Sequence, residues 1–306
     1  MASFTVIDAT NSKTSEMQRY KELAENYRYR MYCIDMTDIP IDEVKRRNAN
    51  REELKRVPET AIDKFYAKFA TQKIPSGIKV LKPDELDQIW YRPFDLSSYK
   101  KVHVIGDLHG CHTALMDYFD KCGGIRDDEF YIFSGDYVDR GIENAQVVQF
   151  IIDHYKLPNF SFLEGNHERW LWFYANDIIA NSKEFEFITK PQLKKAGIPL
   201  KEIREIYRRF GQCSYFKYGD DYYLVTHGGI STMPENMIFT PTKQMIFGVG
   251  YYNDVDQCDE SFCAHTDLNT YQIHGHRNVA NSPVQSASRA FNLEGNIEFG
   301  GELRVV

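Results

Sequence analysis

Five short segments gather the residues able to do acid–base or metal chemistry: Gly106-Asp107-Leu108-His109-Gly110, Gly135-Asp136-Tyr137-Val138-Asp139-Arg140-Gly141, Gly165-Asn166-His167-Glu168, Thr226-His227-Gly228-Gly229 and His274-Gly275-His276. Asp107, His109, Asp136, Asn166, His227 and His276 offer carboxylate, amide and imidazole donors. That mixed oxygen and nitrogen set suits manganese, iron, nickel or zinc better than calcium. Six side chains can hold two ions only if one carboxylate bridges them. Asp136 is the candidate, since it stands 29 residues after Asp107 and 30 before Asn166. Gly106, Gly110, Gly135, Gly141 and Gly165 flank the donors, as expected where a strand turns sharply to present a ligand. Taken singly, an Asp-x-His pair is ordinarily a turn and a lone histidine a core residue. Their joint, ordered occurrence points to a binuclear metal centre.

The elements that must carry these donors are legible around them. Residues 101–105, 131–134 and 160–163 read as buried-type strands, each followed by a Gly-Asp or Gly-Asn pair, with helices at 114–121 and 145–154 between them. Donors then lie beyond the carboxyl ends of consecutive strands, where open α/β sheets keep their sites. A helical, aromatic-rich stretch covers 169–210. Strands resume at 222–225 and 272–273, and the tail from 290 to 306 alternates like an antiparallel hairpin around Glu294-Gly295-Asn296. Ahead of all this, residues 4–8 form a β-rich run, 15–29 a helix, 30–35 a strand, and 42–51 and 58–70 two charged helices, with Pro58 suited to a first turn. Prolines at 83 and 93 interrupt the pattern. The expected domains are 1–90 and 91–306.

The 306 residues carry 37 Lys+Arg against 44 Asp+Glu, a net charge of −7, and 42% are hydrophobic. That is enough for one or two cores and excludes disorder as the main description. No apolar stretch approaches membrane-spanning length and residues 1–11 hold no basic leader, so the reading is a cytoplasmic protein with no membrane association. Six cysteines without CxxC spacing read as reduced thiols. The acidic balance gives no footprint for long duplex DNA, although bound divalent cations would offset it.

Motif for motif, the five segments resemble the calcineurin-like metallophosphoesterases, and the forms GDLHG, GDYVDRG, GNHE, HGG and GH are the dialect of the serine/threonine protein phosphatase branch. The resemblance covers about 102–306. It implies an α/β fold of two facing mixed β-sheets flanked by helices, with two divalent ions at one end, manganese first and nickel, iron or zinc as alternatives. It further implies that Asp107, His109 and Asp136 hold one ion and Asp136, Asn166, His227 and His276 the other. His167 would be the general acid, oriented by Asp139, while Arg140 and Arg169 would bind the phosphate oxygens.

The first hundred residues bear a second resemblance. Val6-Ile7-Asp8-Ala9-Thr10-Asn11, the strand at 31–35, Arg46-Arg47-Asn48-x-x-Arg51 and Arg56-Val57-Pro58-Glu59 look like the C-terminal half of a P-loop polynucleotide kinase, whose arginine-rich helix is a lid over ATP. A GxxxxGK[ST] loop is absent from the sequence, so this segment is expected to be inactive as a kinase. The pairing resembles the bacterial or phage polynucleotide kinase-phosphatases of RNA repair. The tail, Asn292-Leu293-Glu294-Gly295 through Phe299-Gly300-Gly301-x-Leu303, is similar to that family's closing segment, with Glu294-Gly295-Asn296 where the family tends to carry Asp-Thr-Gly. A carboxylate at Glu294 could still orient a histidine. Trp170, Trp172, Phe173, Tyr174, Tyr251 and Tyr252 are candidates for stacking on a base.

The expected function is metal-dependent removal of 3′-phosphates and 2′,3′-cyclic phosphates from RNA termini. Kinase and ligase modules in a longer native chain would be its natural partners. The alternatives are a serine/threonine protein phosphatase and a non-catalytic RNA-end binding module. A complete general acid and arginine set argues against the last, because a structural metal site needs only closed coordination.

Overall fold

The computed structural model describes residues 4–279 and 281–306; Met1–Ser3, which open the stretch read as carrying no leader, and Ala280 lie outside the described residues. The chain divides into two compact units, one running to Tyr91 and one from Arg92 to Val306. No helix among the described residues is long and apolar enough to cross a membrane.

The first unit orders helix α1 (Thr14–Asn26), strand β1 (Tyr32–Ile34), helices α2 (Ile41–Ala49) and α3 (Glu59–Phe69), and strand β2 (Lys79–Leu81), the two strands pairing in parallel. Pro58 sits at the cap of α3, one residue before the first-turn position expected of it. The buried Asn48 explains the ordered string that follows it. Its side chain both donates to Val57 O (2.8 Å) and accepts from Val57 N (2.9 Å), pinning the connection between α2 and α3. Arg46 and Arg47 bond Glu43 on their own helix at 2.6 and 2.7 Å. Residues 4–8 form no strand, contrary to their β-rich composition. Phe4, Val6 and Ile7 are exposed, so the run lacks the half-buried pleated surface that favours a strand.

The second unit is built from strands β3 (Phe94–Asp95), β4 (Lys101–Ile105), β5 (Glu129–Phe133), β6 (Phe160–Phe162), β7 (Cys213–Tyr218), β8 (Asp221–Thr226), β9 (Thr270–His274), β10 (Gln285–Ala287) and β11 (Ala290–Asn292). Helices α4 (His112–Cys122), α5 (Asn144–His154), α6 (Arg169–Ala175), α7 (Lys190–Ala196), α8 (Leu200–Arg209), α9 (Thr242–Phe247) and α10 (Val255–Ala264) connect or cover them. One sheet is β4-β5-β6, wholly parallel; the other is mixed, in the order β10-β11-β9-β8-β7-β3. Strand alternation explains how they stack. Phe130 and Ile132 of β5, with Val104 of β4, meet Phe216, Val225 and Ile273 of the facing sheet. Tyr131 and Phe133 point the other way into Leu115, Phe119, Val147, Val148 and Ile151 of α4 and α5. Burial on both faces is why β5 reads as an unbroken apolar run. The fold is thus the two-sheet, helix-flanked α/β arrangement expected.

Strands β3 and β10 and helices α9 and α10 go beyond the sequence reading, and two further differences concern strand pairing. Strand β7 was not anticipated; it forms a hairpin with β8 around Gly219 (φ +65°). The tail is no hairpin about Glu294-Gly295-Asn296. β11 instead pairs with β10 and β9, and the chain beyond it crosses to the other sheet, where Val305 bridges Ile105. Val104 and Val306 exchange N–H···O bonds at 2.8 and 3.1 Å, and Gly106 N donates to Arg304 O at 3.0 Å. The otherwise open edge of β4 takes these bonds.

Candidate metal centre

Each donor sits on a loop leaving a strand. Asp107 and His109 follow β4, Asp136, Asp139 and Arg140 follow β5, Asn166 and His167 follow β6, His227 follows β8 and His276 follows β9. Five of these have left-handed backbones: His109 (φ 39°), Asp136 (50°), Asp139 (76°), Arg140 (65°) and His276 (65°). Such conformations cost about 1–3 kcal/mol each and persist where surrounding bonds over-determine them. Those bonds are present. Leu108 N and His109 N both donate to Asp136 O (3.0 and 2.9 Å), and Gly141 N donates to His109 O (2.9 Å). The buried Glu168 carboxylate accepts from Asp136 N (3.0 Å), Tyr137 N (2.8 Å) and Gly165 N (2.7 Å), tying two of the loops together.

Asp136 holds the middle of the cluster. Its Oδ2 lies 3.1 Å from His227 Nε2 and 3.6 Å from His109 Nε2, and its Oδ1 accepts from His167 N at 3.1 Å. Asn166 Oδ1 is 3.2 Å from His227 Nε2. Asp107 Oδ2 accepts from His276 N at 2.8 Å, and the His227 and His276 rings are 5.0 Å apart. Asp136, His227 and His276 form one group whose ligand atoms lie within 4.8 Å of one another, and His109, Asp136 and His167 form a second. Asp107, His109 and Glu294 form a third. The tautomers are set by backbone carbonyls, with His109 Nδ1 3.1 Å from Val138 O and His227 Nδ1 3.1 Å from Ser134 O. Their Nε2 atoms therefore turn toward Asp136.

These donors fit divalent cations. Burial lowers His109 to about 4 and His276 to about 3, leaving neutral imidazoles, the form that ligates a metal. Burial, together with the charges of Glu294 and Asp136, pushes Asp107 well above the carboxylate range, while the neighbouring His227 and His167 hold Asp136 well below it against the same burial. Three carboxylates in so small a buried volume repel one another unless protons or cations offset them.

His167 is built differently. Its Nδ1 is 2.7 Å from Asp139 Oδ2, and Asp139 in turn accepts from Thr189 Oγ1 through Oδ1 while its backbone N–H donates to Asn144 Oδ1 at 2.7 Å. Burial opposes charge on this ring, yet Asp136 and the Asp139 bond outweigh it and raise His167 to about 9. Arg140 donates through Nη1 to Glu298 Oε1 (2.6 Å) and lies 3.0 Å from His109 Nε2. Arg169 is placed differently from Arg140. It is exposed and lies over the ring of Trp170 at 4.1 Å. Four of the aromatic candidates are core, not platform: Trp170 is buried, and Trp172, Phe173 and Tyr174 pack against the same cluster, Trp172 stacking on Tyr207 of α8. Tyr251 and Tyr252 are exposed, with Tyr252 edge-on to His276 at 5.6 Å.

Sequence reasoning assigned no role to Glu168, Thr189 or Glu298. Glu168 stood inside a quoted motif, and that was its only signal. Glu294, read as a residue that could orient a histidine, is 3% exposed and joins Asp107 and His109 as a further carboxylate.

A family model described as calcineurin-like phosphoesterase matches residues 100–299, and one described as an AAA domain matches residues 2–71. A serine/threonine-protein phosphatase of Caenorhabditis elegans is 44% identical over 69 residues, 22% of this chain and 15% of that protein, so the chain spans only a small part of that relative's length. Among solved structures, a protein serine/threonine phosphatase from Saccharomyces cerevisiae aligns with a TM-score of 0.44 at 17% identity, covering 65% of this chain and 68% of that one. A cold-active protein-tyrosine phosphatase of a psychrophile Shewanella aligns with a TM-score of 0.42 at 14% identity, covering 70% and 77%.

Proposed function

The chain belongs to the calcineurin-like phosphoesterase family, and from that premise we propose that its buried donor cluster is a two-metal phosphoesterase centre that acts on RNA ends, removing 3′-phosphates and opening 2′,3′-cyclic phosphates. Phosphoesterases of this family use divalent metal ions. Asp107, His109 and Asp136 would hold one, and Asp136, Asn166, His227 and His276 the other, with manganese the first choice for such a donor set. When bound, the two ions lower the pKa of a water and screen the charge of the phosphate.

The chain's own residues supply the rest. His167 keeps its proton through the Asp139 partner and gives it to the leaving oxygen as the phosphorus–oxygen bond breaks. Thr189 and Asn144 hold Asp139's carboxylate and backbone, which fixes the imidazole's aim. Arg140 offers guanidinium donors to the non-bridging oxygens. Loss of His167 therefore matters most for esters with poor leaving groups such as a ribose hydroxyl.

The observation that carries the RNA reading is the kinase-like segment at residues 2–71 in the same chain as the phosphoesterase. It rests further on the resemblance of the tail to RNA repair phosphatases. A second reading, a serine/threonine protein phosphatase, draws on the 69-residue stretch shared with the Caenorhabditis elegans protein. Parallel measurement of kcat/KM with manganese decides between them. RNA ending in a 2′,3′-cyclic phosphate is expected to pass through a monoester to a diol, with phosphoserine peptides cleaved far less efficiently. A preference for the phosphopeptide overturns the RNA reading.

A further inference from the structure

Glu298 comes from the single turn Ile297–Phe299, between Asn296 (φ +50°) and Gly300 (φ +88°). Its side chain is 1% exposed, and its Oε1 accepts from Arg140 Nη1 at 2.6 Å. Its other oxygen, Oε2, is buried with no hydrogen-bond partner among the described residues. A buried carboxylate with one oxygen unsatisfied is costly to keep. Nothing in the two-metal chemistry requires it. Its effect is electrostatic, because it sets a carboxylate charge at hydrogen-bond distance from Arg140, closer than the further charges of Asp136 and Glu184 that also face that guanidinium.

That change acts unequally on the two ester classes. A phosphomonoester has a second pKa of about 6 and is close to a dianion at neutral pH, whereas a diester is a monoanion. An unopposed guanidinium favours the dianion; a guanidinium paired with a carboxylate favours it less. We infer that Glu298 is a positioning and specificity-determining residue, which fixes Arg140 beside His109 and offsets its charge so that the site accepts monoanionic phosphodiesters together with monoesters. The inference rests on the reading of this cluster as a phosphoesterase centre, and extends it to the balance between the two steps required on a cyclic end.

The test uses two synthetic esters with the same leaving group, p-nitrophenyl phosphate and bis(p-nitrophenyl) phosphate, so that proton donation cancels in their ratio. With manganese present, Glu298→Gln should raise the ratio of monoester to diester kcat/KM by about fivefold or more. Glu298→Ala, a second neutral variant, should shift it in the same direction, and Glu298→Asp should retain the wild-type ratio more nearly than either. In an Arg140→Ala background, Glu298→Gln should leave the ratio unmoved, since the charge it offsets is gone. An unchanged ratio in both neutral variants overturns the inference, as does an equal shift with and without Arg140. Neither result touches the RNA reading, which stands or falls on RNA ends against phosphopeptides; failure of all variants and wild type to hydrolyse either ester overturns the phosphoesterase reading itself.

Discussion

Glu168 donates no ligand, yet three backbone N–H groups from two site loops end on its carboxylate, and two of them belong to Asp136 and Tyr137. Glu168→Gln replaces one acceptor oxygen with a donor that faces backbone donors. Each buried N–H left unpaired costs about 1–3 kcal/mol. Urea unfolding should show a loss of about 2–4 kcal/mol, together with weaker manganese binding by calorimetry. A variant as stable as wild type would mean that the loops hold themselves. Close approach makes a second residue-scale prediction. A Cβ on Gly275 would sit 1.9 Å from Asp107 Oδ1, and one on Gly165 2.2 Å from Asp136 Oδ1. Gly275→Ala must displace Asp107, so manganese affinity should fall by about tenfold or more; unaltered affinity would remove Asp107 from the proposed ligands. The donors were legible because each lies in a short, glycine-flanked segment. Their supports were not, since Glu168 acts across 32 residues, Thr189 across 50 and Glu298 across 158, and no spacing betrays a partner so distant in the chain.

The elements divide in the same way. Strands β4, β5 and β6 were readable because each is a short, largely apolar run that leads within a few residues into a glycine-flanked donor. The aromatic stretch after His167 was ambiguous from composition alone; packing between α6 and α8 resolves it as core. The tail was misread because alternation shows that a segment is extended but not which edge it joins. The edge it joins gives a prediction. Removing Arg304–Val306 deletes the bonds to Val104 and Gly106 and exposes the strand that presents Asp107. Three lost ladder bonds correspond to about 2–4 kcal/mol. Thermal melting of the truncated chain should fall accordingly, and its manganese affinity with it. Loss of neither would show that β4 is held by β5 alone.

At the scale of the whole molecule, the site is a store of electrostatic energy that metal binding releases. A net charge of −7 is spread over 306 residues, but Asp107, Asp136 and Glu294 are each no more than 3% exposed and stand together. In chelator, that concentration of buried carboxylates opposes the fold. Cations that bind the native cluster and not the unfolded chain stabilise by about 2.7 kcal/mol each at one hundred times Kd. Two ions give about 5 kcal/mol, on the order of 10 °C in Tm for a unit of this size. Asp136→Asn should separate the two effects. It removes the proposed shared ligand, so most of the manganese-dependent rise in Tm should vanish, and it also removes the carboxylate charge that His227 and His167 stabilise, so the variant in chelator should melt below metal-free wild type. Differential scanning calorimetry of both proteins, in chelator and in saturating manganese, measures all four states. Metal-free and manganese-loaded wild type melting within about 2 °C of each other would mean that the cluster does not hold two ions, and a variant that keeps the full rise would take the bridging role from Asp136.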